Sequence, residues 1–266
     1  MNFSSLFFHL NRLKLWHARI HAWGSLLQAT SLDRCVYLRL HQLGIMGGKV
    51  KAFFESKIQR GMTIVDVGAN IGLYTIFFAK QTGSGGKVFA FEPDPDLFQM
   101  LRKNCETNNL SNVILHNCAL GSCEDEKFLD RSPLNSGDNR IVANSPLSVS
   151  HGKRVKVRTA ALDTLLPGQN VDFLKIDVQG YELEVLKGAK DLLSKSPSLQ
   201  LYFEYSPYGM ELAGCRPTDI LELLSKLGYE TRNPYDRRQA LITDWRAYTD
   251  QIPRGMWRNL WSKRKT

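Results

Sequence analysis

The sequence has no hydrophobic run of about 18 residues, so we expect no membrane-spanning helix. Its opening segment, SLFFHL at residues 5–10, is too short and too weakly flanked for a secretory signal, which favours a cytoplasmic protein. The five cysteines include no Cys-x-x-Cys pair and no cysteine–histidine spacing typical of zinc. Neither a disulfide framework nor a metal site is predicted.

Positive charge is in excess, with a formal net charge of +9, and much of it lies near the two ends. Residues 9–23 and 254–266 are both basic and aromatic. Because the sequence has no RNP-type aromatic pattern, zinc finger or other reading module, nucleic acid is disfavoured as a partner. Basic ends also occur on enzymes that bind membrane surfaces, so peripheral membrane association stays open.

The first 27 residues carry an apolar stripe at helical spacing, on the side opposite Arg12 and Arg19. Its members are Leu6, Leu10, Leu13, Trp16 or His17, Ile20, Trp23 and Leu27. This spacing predicts a helix that covers the main domain, and a helix at a membrane surface or against a partner is the alternative.

After about residue 60, short apolar segments alternate with helical patterns. The predicted buried strands are residues 62–67, 87–92, 112–117, 171–178 and 199–205. The predicted helices between and after them are residues 73–80, 96–107, 182–193 and 218–227. This order indicates an α/β fold with right-handed crossovers and a mostly parallel sheet covered by helices on both faces.

Three regions follow from this pattern: an N-terminal helical extension (1–60), a main domain (61–250) and a basic tail (251–266). Residues 121–162 interrupt the alternation and are interpreted as an insertion between the third and fourth core strands. The insertion holds two strand candidates, 124–131 and 153–162, around a polar loop. Within that loop, Asp138, Asn139 and Arg140 either bind acceptor hydroxyls or only shape the loop.

The stretch TIVDVGANIGLYT (63–75) begins like a dinucleotide loop but does not complete one. Gly68 and Gly72 permit a tight turn and a close backbone approach, and Asn70 tolerates positive φ. Asp66, at the end of the strand, would repel a pyrophosphate but attract an ammonium and a sulfonium, as in S-adenosylmethionine. Glu92 follows the second strand, where a carboxylate accepts ribose hydroxyls. The alternative is that Asp66 caps the loop and FEPDP (91–95) is only a turn.

The stretch KIDVQGYELEVL (175–186) predicts a second part of the site. Asp177 ends an apolar strand, Gly180 permits a sharp turn, and Glu182 enters the next helix near its positive end. Glu204 also ends a strand on the expected ligand side. The alternatives are that Asp177 is a helix cap with Lys175 and Glu182 solvated, and that Glu204 completes a buried polar network. His116 has the intrinsic pKa of a base but is more often structural in such a strand.

The runs IVDVGANIGLYTIFFAK, FAFEPDP, NCALGS and VDFLKIDVQGYELEVLKGA resemble the FkbM family of S-adenosylmethionine-dependent methyltransferases over residues 61–205. The resemblance implies a Rossmann-like class I methyltransferase fold of seven strands, with an antiparallel strand that residues 240–244 are expected to supply. It also implies O-methylation of hydroxyls on sugars, glycans or secondary metabolites. The cofactor-binding residues it implies are Asp66, Gly68, Asn70, Gly72, Glu92, Asn117 and Ala119. Gln179 stands where the family often has Glu, so no essential base is expected there.

The sequence therefore predicts an O-methyltransferase with S-adenosylmethionine as cofactor. Asp177 is the first candidate for orienting or deprotonating the acceptor, followed by Glu204 and Glu182. One alternative is a methyltransferase of the same fold that acts on RNA or protein. A second is a noncatalytic scaffold whose basic ends bind a membrane or nucleic acid. The acceptor and the oligomeric state are left open.

Overall fold

The structure is a computed structural model that describes residues 19–29, 31–133, 135–142 and 153–265. Its strands are β1 (Arg19–Ala22), β2 (Ser25–Gln28), β3 (Thr63–Val67), β4 (Lys87–Phe91), β5 (Val113–His116), β6 (Ala119–Leu120), β7 (Asp125–Asp130), β8 (Arg140–Val142), β9 (Arg154–Ala160), β10 (Phe173–Ile176), β11 (Gln200–Tyr205), β12 (Tyr229–Arg232) and β13 (Arg258–Arg264). Its helices are α1 (Leu32–Gln42), α2 (Gly48–Lys57), α3 (Leu73–Thr82), α4 (Pro95–Thr107), α5 (Leu162–Leu165), α6 (Glu182–Lys187), α7 (Lys190–Lys195), α8 (Pro207–Leu212), α9 (Thr218–Lys226) and α10 (Trp245–Asp250).

The main sheet has seven strands in the order β12-β13-β11-β10-β3-β4-β5. All its neighbouring strands pair in parallel except those that pair with β13, which runs antiparallel to both β11 and β12. The apolar strands that the sequence predicts are therefore confirmed, as is the mostly parallel seven-stranded fold. Because β3 and β10 are neighbours, Val67 and Ile176 end side by side at one edge of the sheet.

The predicted helix over residues 182–193 is two helices, α6 and α7, which separate at Gly188 and Ala189. A Cβ at residue 188 would lie 2.0 Å from the carbonyl oxygen of Gly121. Only glycine permits this approach, so the start of the insertion and the α6–α7 junction lie directly against each other.

The predicted N-terminal helix is wrong for residues 19–28, which form the antiparallel hairpin β1–β2. Trp23 and Gly24 have φ values of 52° and 75°, and positive φ at both central residues is what a type I′ hairpin turn requires. Buried and less buried residues alternate along both strands, which is the period of a half-buried strand. The earlier members of the stripe, residues 6–17, lie outside the described residues.

The hairpin covers the outer side of α3, where Ile20 and Leu27 share a buried cluster with Ile76. Asn104 fixes it there, since its amide accepts a bond from the backbone N–H of Gln28 at 2.7 Å and donates to the carbonyl of Ile71 at 2.8 Å. The extension therefore packs on the same helices that shape the loop after β3.

The predicted antiparallel strand at residues 240–244 is also wrong, because β13 occupies that place in the sheet. Leu241 makes only an isolated bridge with Arg232. The basic tail predicted for residues 251–266 instead contains β13, in which Leu260, Trp261 and Ser262 are buried. The basic side chains beside them pack along aromatic rings, and the Lys263 ammonium lies 5.9 Å from the centroid of the Trp261 ring. The strand is therefore buried although its sequence is rich in positive charge.

The insertion supplies β7, β8 and β9 to a second sheet in the order β6-β9-β7-β8, and β6 lies directly before it in the chain. Its two strand candidates are confirmed as β7 and β9. Residues 134 and 143–152 of its polar loop lie outside the described residues. No helix in the described ranges of the chain is long and apolar enough to cross a bilayer.

Candidate active site

The loop between β3 and α3 requires left-handed backbone at three positions. The φ values are 74° at Gly68, 51° at Asn70 and 95° at Gly72, which glycine and asparagine tolerate best. A Cβ at residue 68 would lie 1.9 Å from the carbonyl oxygen of Asp177. Glycine is thus required where the ends of β3 and β10 meet, and the loop presents bare backbone to the cavity above it.

Glu92, which follows β4, lies over this loop. Its carboxylate accepts two backbone N–H bonds, from Asn70 at 2.7 Å and from Asp94 at 2.9 Å. Burial raises the pKa of Glu92 to about 7, although both hydrogen bonds oppose that shift. Each carboxylate oxygen keeps a further lone pair for a ligand hydroxyl. The predicted ribose-binding acid therefore lines the cavity in a suitable arrangement.

Asp94 connects Glu92 to the insertion. Its carboxylate caps α4 through the N–H of Asp96 and binds Arg131 through two bonds of 2.7 and 2.6 Å. Asn139 donates to the same carboxylate at 3.1 Å. No local pattern in the sequence indicates this network, because Arg131 lies 37 positions from Asp94 along the chain.

The segment after β5 contributes Ala119, the first residue of β6, but not Asn117. Ala119 lines the cavity together with Cys118 and Leu120. Asn117 is exposed, and its amide donates to the carbonyls of Glu92 and Pro93 at 2.8 and 3.2 Å. The prediction that Asn117 lies against a ligand is not supported, since its side chain holds the turn after β4 instead.

Asp66 does not line the cavity either. Its carboxylate is fully buried, accepts a bond from the Thr75 hydroxyl at 2.6 Å and pairs with Lys175 at 3.0 Å. Lys175 neutralises the charge that was expected to attract the cofactor. Asp66 therefore supports the loop from below rather than facing the ligand.

Lys175, for which the sequence suggested no role, connects the loop after β3 with Asp177 after β10. Its ammonium also donates to the carbonyl of Gly68 at 3.0 Å and lies 4.0 Å from Asp177. Burial opposes its charge, but the attraction of Asp66 and Asp177 outweighs that effect and raises the pKa of Lys175. It is therefore a cation with 2% of its side chain exposed, contrary to the solvated alternative.

Asp177 lines the cavity with 37% of its side chain exposed. The amide of Gln179 donates to one of its oxygens at 2.9 Å, which orients the carboxylate. Gln179 itself has a φ of 57°, and the following Gly180 packs against the backbone of Gly209 so closely that a Cβ would lie 2.3 Å from its carbonyl oxygen. The structure thus presents Asp177 on a tightly held turn.

Glu182 and Glu204 lie in different surroundings. Glu182 is fully buried, does not line the cavity, and accepts bonds from the N–H groups of Val178 and Gly180 at 3.1 and 3.2 Å. Its predicted catalytic role is therefore not supported, because the carboxyl holds the turn that carries Asp177. Glu204 does line the cavity, and burial together with the charge of Asp177 raises its pKa well above the usual range.

Of the remaining candidates, some line the cavity and others lie outside it. His116 lies outside the cavity and stacks on Phe91 with ring centroids 4.6 Å apart, so its role is structural. Asp138 and Asn139 line the cavity, whereas Arg140 does not. The described residues contain no group of three or more His, Cys, Asp or Glu side chains that could hold a metal ion.

All the cavity-lining groups above share one cavity of about 380 Å³. Following the strand order, Glu92 and Ala119 lie toward one end, Asp177 lies near the middle, and Glu204 lies toward the other end. Residues outside the core motifs complete the walls, among them Tyr37 and His41 of α1 and Trp257 before β13. The volume is in the range of small-molecule sites.

A family model described as "Methyltransferase FkbM domain" matches residues 66–231. The chain belongs to the FkbM methyltransferase family. S-adenosylmethionine is the cofactor that this membership implies, and Gly68, Asn70, Glu92 and Ala119 form the part of the cavity that fits it. Gly72 does not line the cavity, because it packs against Leu101 of α4, where a Cβ would lie 2.7 Å from the side chain. Bare loop backbone beside a buried carboxylate with free lone pairs suits an adenosine ribose.

Similar proteins include Methyltransferase 1 of Beauveria bassiana, 32% identical over 146 residues, which are 48% of this chain and 58% of the relative. The hexuronic acid methyltransferase AglP of Haloferax volcanii is 31% identical over 169 residues, 62% of each chain. The chain thus spans about three-fifths of the length of these relatives. A solved structure of a putative rRNA methylase from Clostridium thermocellum has a TM-score of 0.49 and 12% identity, over 82% of this chain and 95% of that one.

The FkbM match begins at Asp66, so it leaves out the hairpin and helices of the extension and also β13. Tyr37, His41 and Trp257 nevertheless line the cavity. No motif in the sequence pointed to them. The family match therefore does not cover these parts of the cavity wall.

Proposed function

We propose that the protein is an S-adenosylmethionine-dependent O-methyltransferase whose acceptor is a hydroxyl of a sugar, glycan or secondary metabolite. The observation that carries the proposal is that one cavity contains both the Gly68–Glu92 arrangement and an oriented, partly exposed carboxylate, Asp177. The first suits the cofactor and the second suits an oxygen nucleophile.

When bound, S-adenosylmethionine supplies an activated methyl group at a sulfonium. The work left to the protein is to hold the acceptor oxygen in line and to exclude water. Glu92 and the backbone of the Gly68 loop would hold the adenosine part, while the half-enclosed walls contributed by α1 and the insertion limit solvent. Asp177 would accept the hydroxyl proton, since its carboxylate is within the cavity and is held by Gln179.

Glu204 is the second candidate for this proton. Burial and the charge of Asp177 raise the pKa of Glu204, which favours its protonated form, so Glu204 would accept the proton less readily than Asp177. Asp177 remains the first choice because 37% of its side chain is exposed and the amide of Gln179 orients its carboxylate.

The charges in the cavity also favour a hydroxyl over a carboxylate as the acceptor. A carboxylate that approached Asp177 would meet like charge, and its nearest cation, Lys175, is already paired with Asp66. AglP is named for a hexuronic acid, which offers both kinds of oxygen. A methyl ether on a hydroxyl survives mild alkali, whereas a methyl ester on a carboxylate is hydrolysed, so the product distinguishes the two.

The test uses S-adenosylmethionine carrying a labelled methyl group. Calorimetry first measures binding of the cofactor, and transfer is then measured to p-nitrophenyl glycosides of glucose, galactose and glucuronic acid, to an RNA pool and to a protein extract. We expect binding and alkali-stable label in at least one glycoside. Transfer to RNA or protein alone would favour the first alternative, and no cofactor binding would favour the scaffold.

We further propose a cytoplasmic location with peripheral membrane association. Met256 and Trp257 are 51% and 49% exposed beside the basic residues Arg254 and Arg258, an arrangement that suits an anionic membrane surface. Flotation with liposomes containing phosphatidylserine should recover the protein at low salt and release it at high salt. Failure to float at low salt would exclude this association.

A further inference from the structure

His41 is a buried side chain to which the site described above gives no task. It lies near the end of α1, is 5% exposed and lines the cavity. Neither ring nitrogen has a hydrogen-bond partner within the described part of the protein. Leaving buried polar atoms unpaired is unfavourable, so an imidazole that faces a cavity in this state is expected to meet a polar ligand atom.

The ring is held in place rather than free to turn away. It packs edge-on against Tyr37 at 4.4 Å and against Trp23 at 5.1 Å between ring centroids. On a third side is Gly47, where a Cβ would lie 2.4 Å from both Cε1 and Nδ1 of the ring. Two aromatic rings and a bare backbone segment thus fix His41 in the cavity wall.

The position of His41 along α1 places it away from the cofactor end. Arg34, at the start of the helix, binds Asn135, and the neighbouring Ser136 accepts a bond from the side chain of Asn70, next to Glu92. His41 lies seven residues further along the helix, a distance of about 10 Å at 1.5 Å per residue. The intervening Tyr37 faces the cavity one turn before His41.

We propose that His41 hydrogen-bonds a neutral hydroxyl group of the methyl acceptor and so helps to select it. This inference rests on the proposed function, because it needs an acceptor in the same cavity. A neutral imidazole offers one N–H donor and one nitrogen acceptor, and a hydroxyl can pair with either of them because it both donates and accepts. Burial, and then the charge of Arg34, lowers the pKa of His41 to about 4, so the ring is neutral near pH 7.

Three variants test the proposal: His41→Phe, which keeps an aromatic ring without nitrogens; His41→Gln, which keeps a donor and an acceptor; and His21→Phe, a matched control at an exposed histidine. For a glycoside that the wild type methylates, we expect His41→Phe to raise KM roughly tenfold, with kcat within about twofold. His41→Gln should recover part of the loss. All three should bind S-adenosylmethionine like the wild type, and His41→Phe should melt no lower.

A second measurement does not depend on turnover. In protein labelled with ¹⁵N-histidine and saturated with S-adenosylhomocysteine, the glycoside should shift the ring-nitrogen signals of His41 but not those of His21. An unchanged KM in His41→Phe, or unchanged His41 signals at saturating glycoside, overturns the inference while leaving the methyltransferase proposal intact. Absence of transfer by the wild type itself would instead overturn the proposed function.

Discussion

Replacing Lys175 with methionine should be among the most damaging single changes in the described core. The ammonium is 2% exposed and pairs with the fully buried Asp66 at 3.0 Å. Methionine fills a similar volume but leaves the Asp66 charge without its cation. Breaking a buried ion pair in this way costs about 3–5 kcal/mol of unfolding free energy. Lys175 also donates to the Gly68 carbonyl, so the cofactor loop should loosen as well.

The double variant Asp66→Asn/Lys175→Met separates the charge from the packing. Asparagine still accepts the bond from Thr75 but carries no charge, so we expect the pair of changes to cost less than Lys175→Met alone. Urea unfolding followed by circular dichroism measures all three proteins, and calorimetry measures their affinity for S-adenosylmethionine. Lys195→Met, which removes an exposed partner of Asp191, is the control and should leave the urea midpoint unchanged.

The pH dependence of this pair gives an independent check. The pKa of Lys175 is raised in the folded protein, so its contribution is complete below the ordinary lysine value of about 10.4 and is lost only as pH rises through the higher folded value. The contribution of Lys175 to the stability of the wild type should therefore stay constant from pH 7 to 9. A loss below about 1 kcal/mol, or a double variant less stable than Lys175→Met, would refute the buried-pair reasoning.

Four further predictions concern the carboxyl groups of Glu92, Asp177 and Glu182 and the strand β13. Because Glu92 ionises near pH 7, affinity for methylthioadenosine should rise between pH 6 and 8 in wild type and stay flat in Glu92→Gln, as measured by calorimetry. Asp177→Asn should keep its affinity for S-adenosylmethionine but lose at least about a hundredfold in turnover; near-normal turnover would pass the role to Glu204. Burial raises the pKa of Glu182 to about 7, so folding favours its protonated carboxyl. Its contribution to the free energy of unfolding is therefore complete below about pH 4.3 and is lost as pH rises to about 7. Glu182→Gln should remove this pH dependence of stability, as measured by urea unfolding. Trp261→Ala should cost about 3–5 kcal/mol if β13 belongs to the core, whereas a mobile tail would tolerate it.

The core of the fold was predictable because its signals are local. Strands such as residues 63–67 are short apolar runs, and the glycines and asparagine after them are needed for backbone geometry that one segment determines. Glu92 was found for the same reason, since it stands directly after a strand in an order that parallel sheets require. Local patterns therefore predicted Gly68, Asn70, Glu92 and Ala119, which line the cavity, but also Asp66, Gly72 and Asn117, which do not.

The features that were missed depend on partners distant in sequence. Lys175 looks like a solvated lysine until Asp66, on the neighbouring strand, is seen beside it. Glu182 and Glu204 carry the same carboxyl group near strand ends, yet backbone N–H groups bind the first while the second faces the cavity. The hairpin at Trp23 has apolar spacing that also fits a helix, and only its turn geometry decides between them.

The place of β13 in the sheet has a consequence for how the chain folds during synthesis. Residues 258–264 are inserted between β11 and β12, both of which leave the ribosome earlier. Until those residues emerge, β11 has an open edge and β12 has no neighbour in the sheet. Unpaired edges are prone to association with other chains. A nascent or truncated chain that ends before residue 258 is therefore expected to depend on chaperones, even though it contains every motif by which the family is recognised.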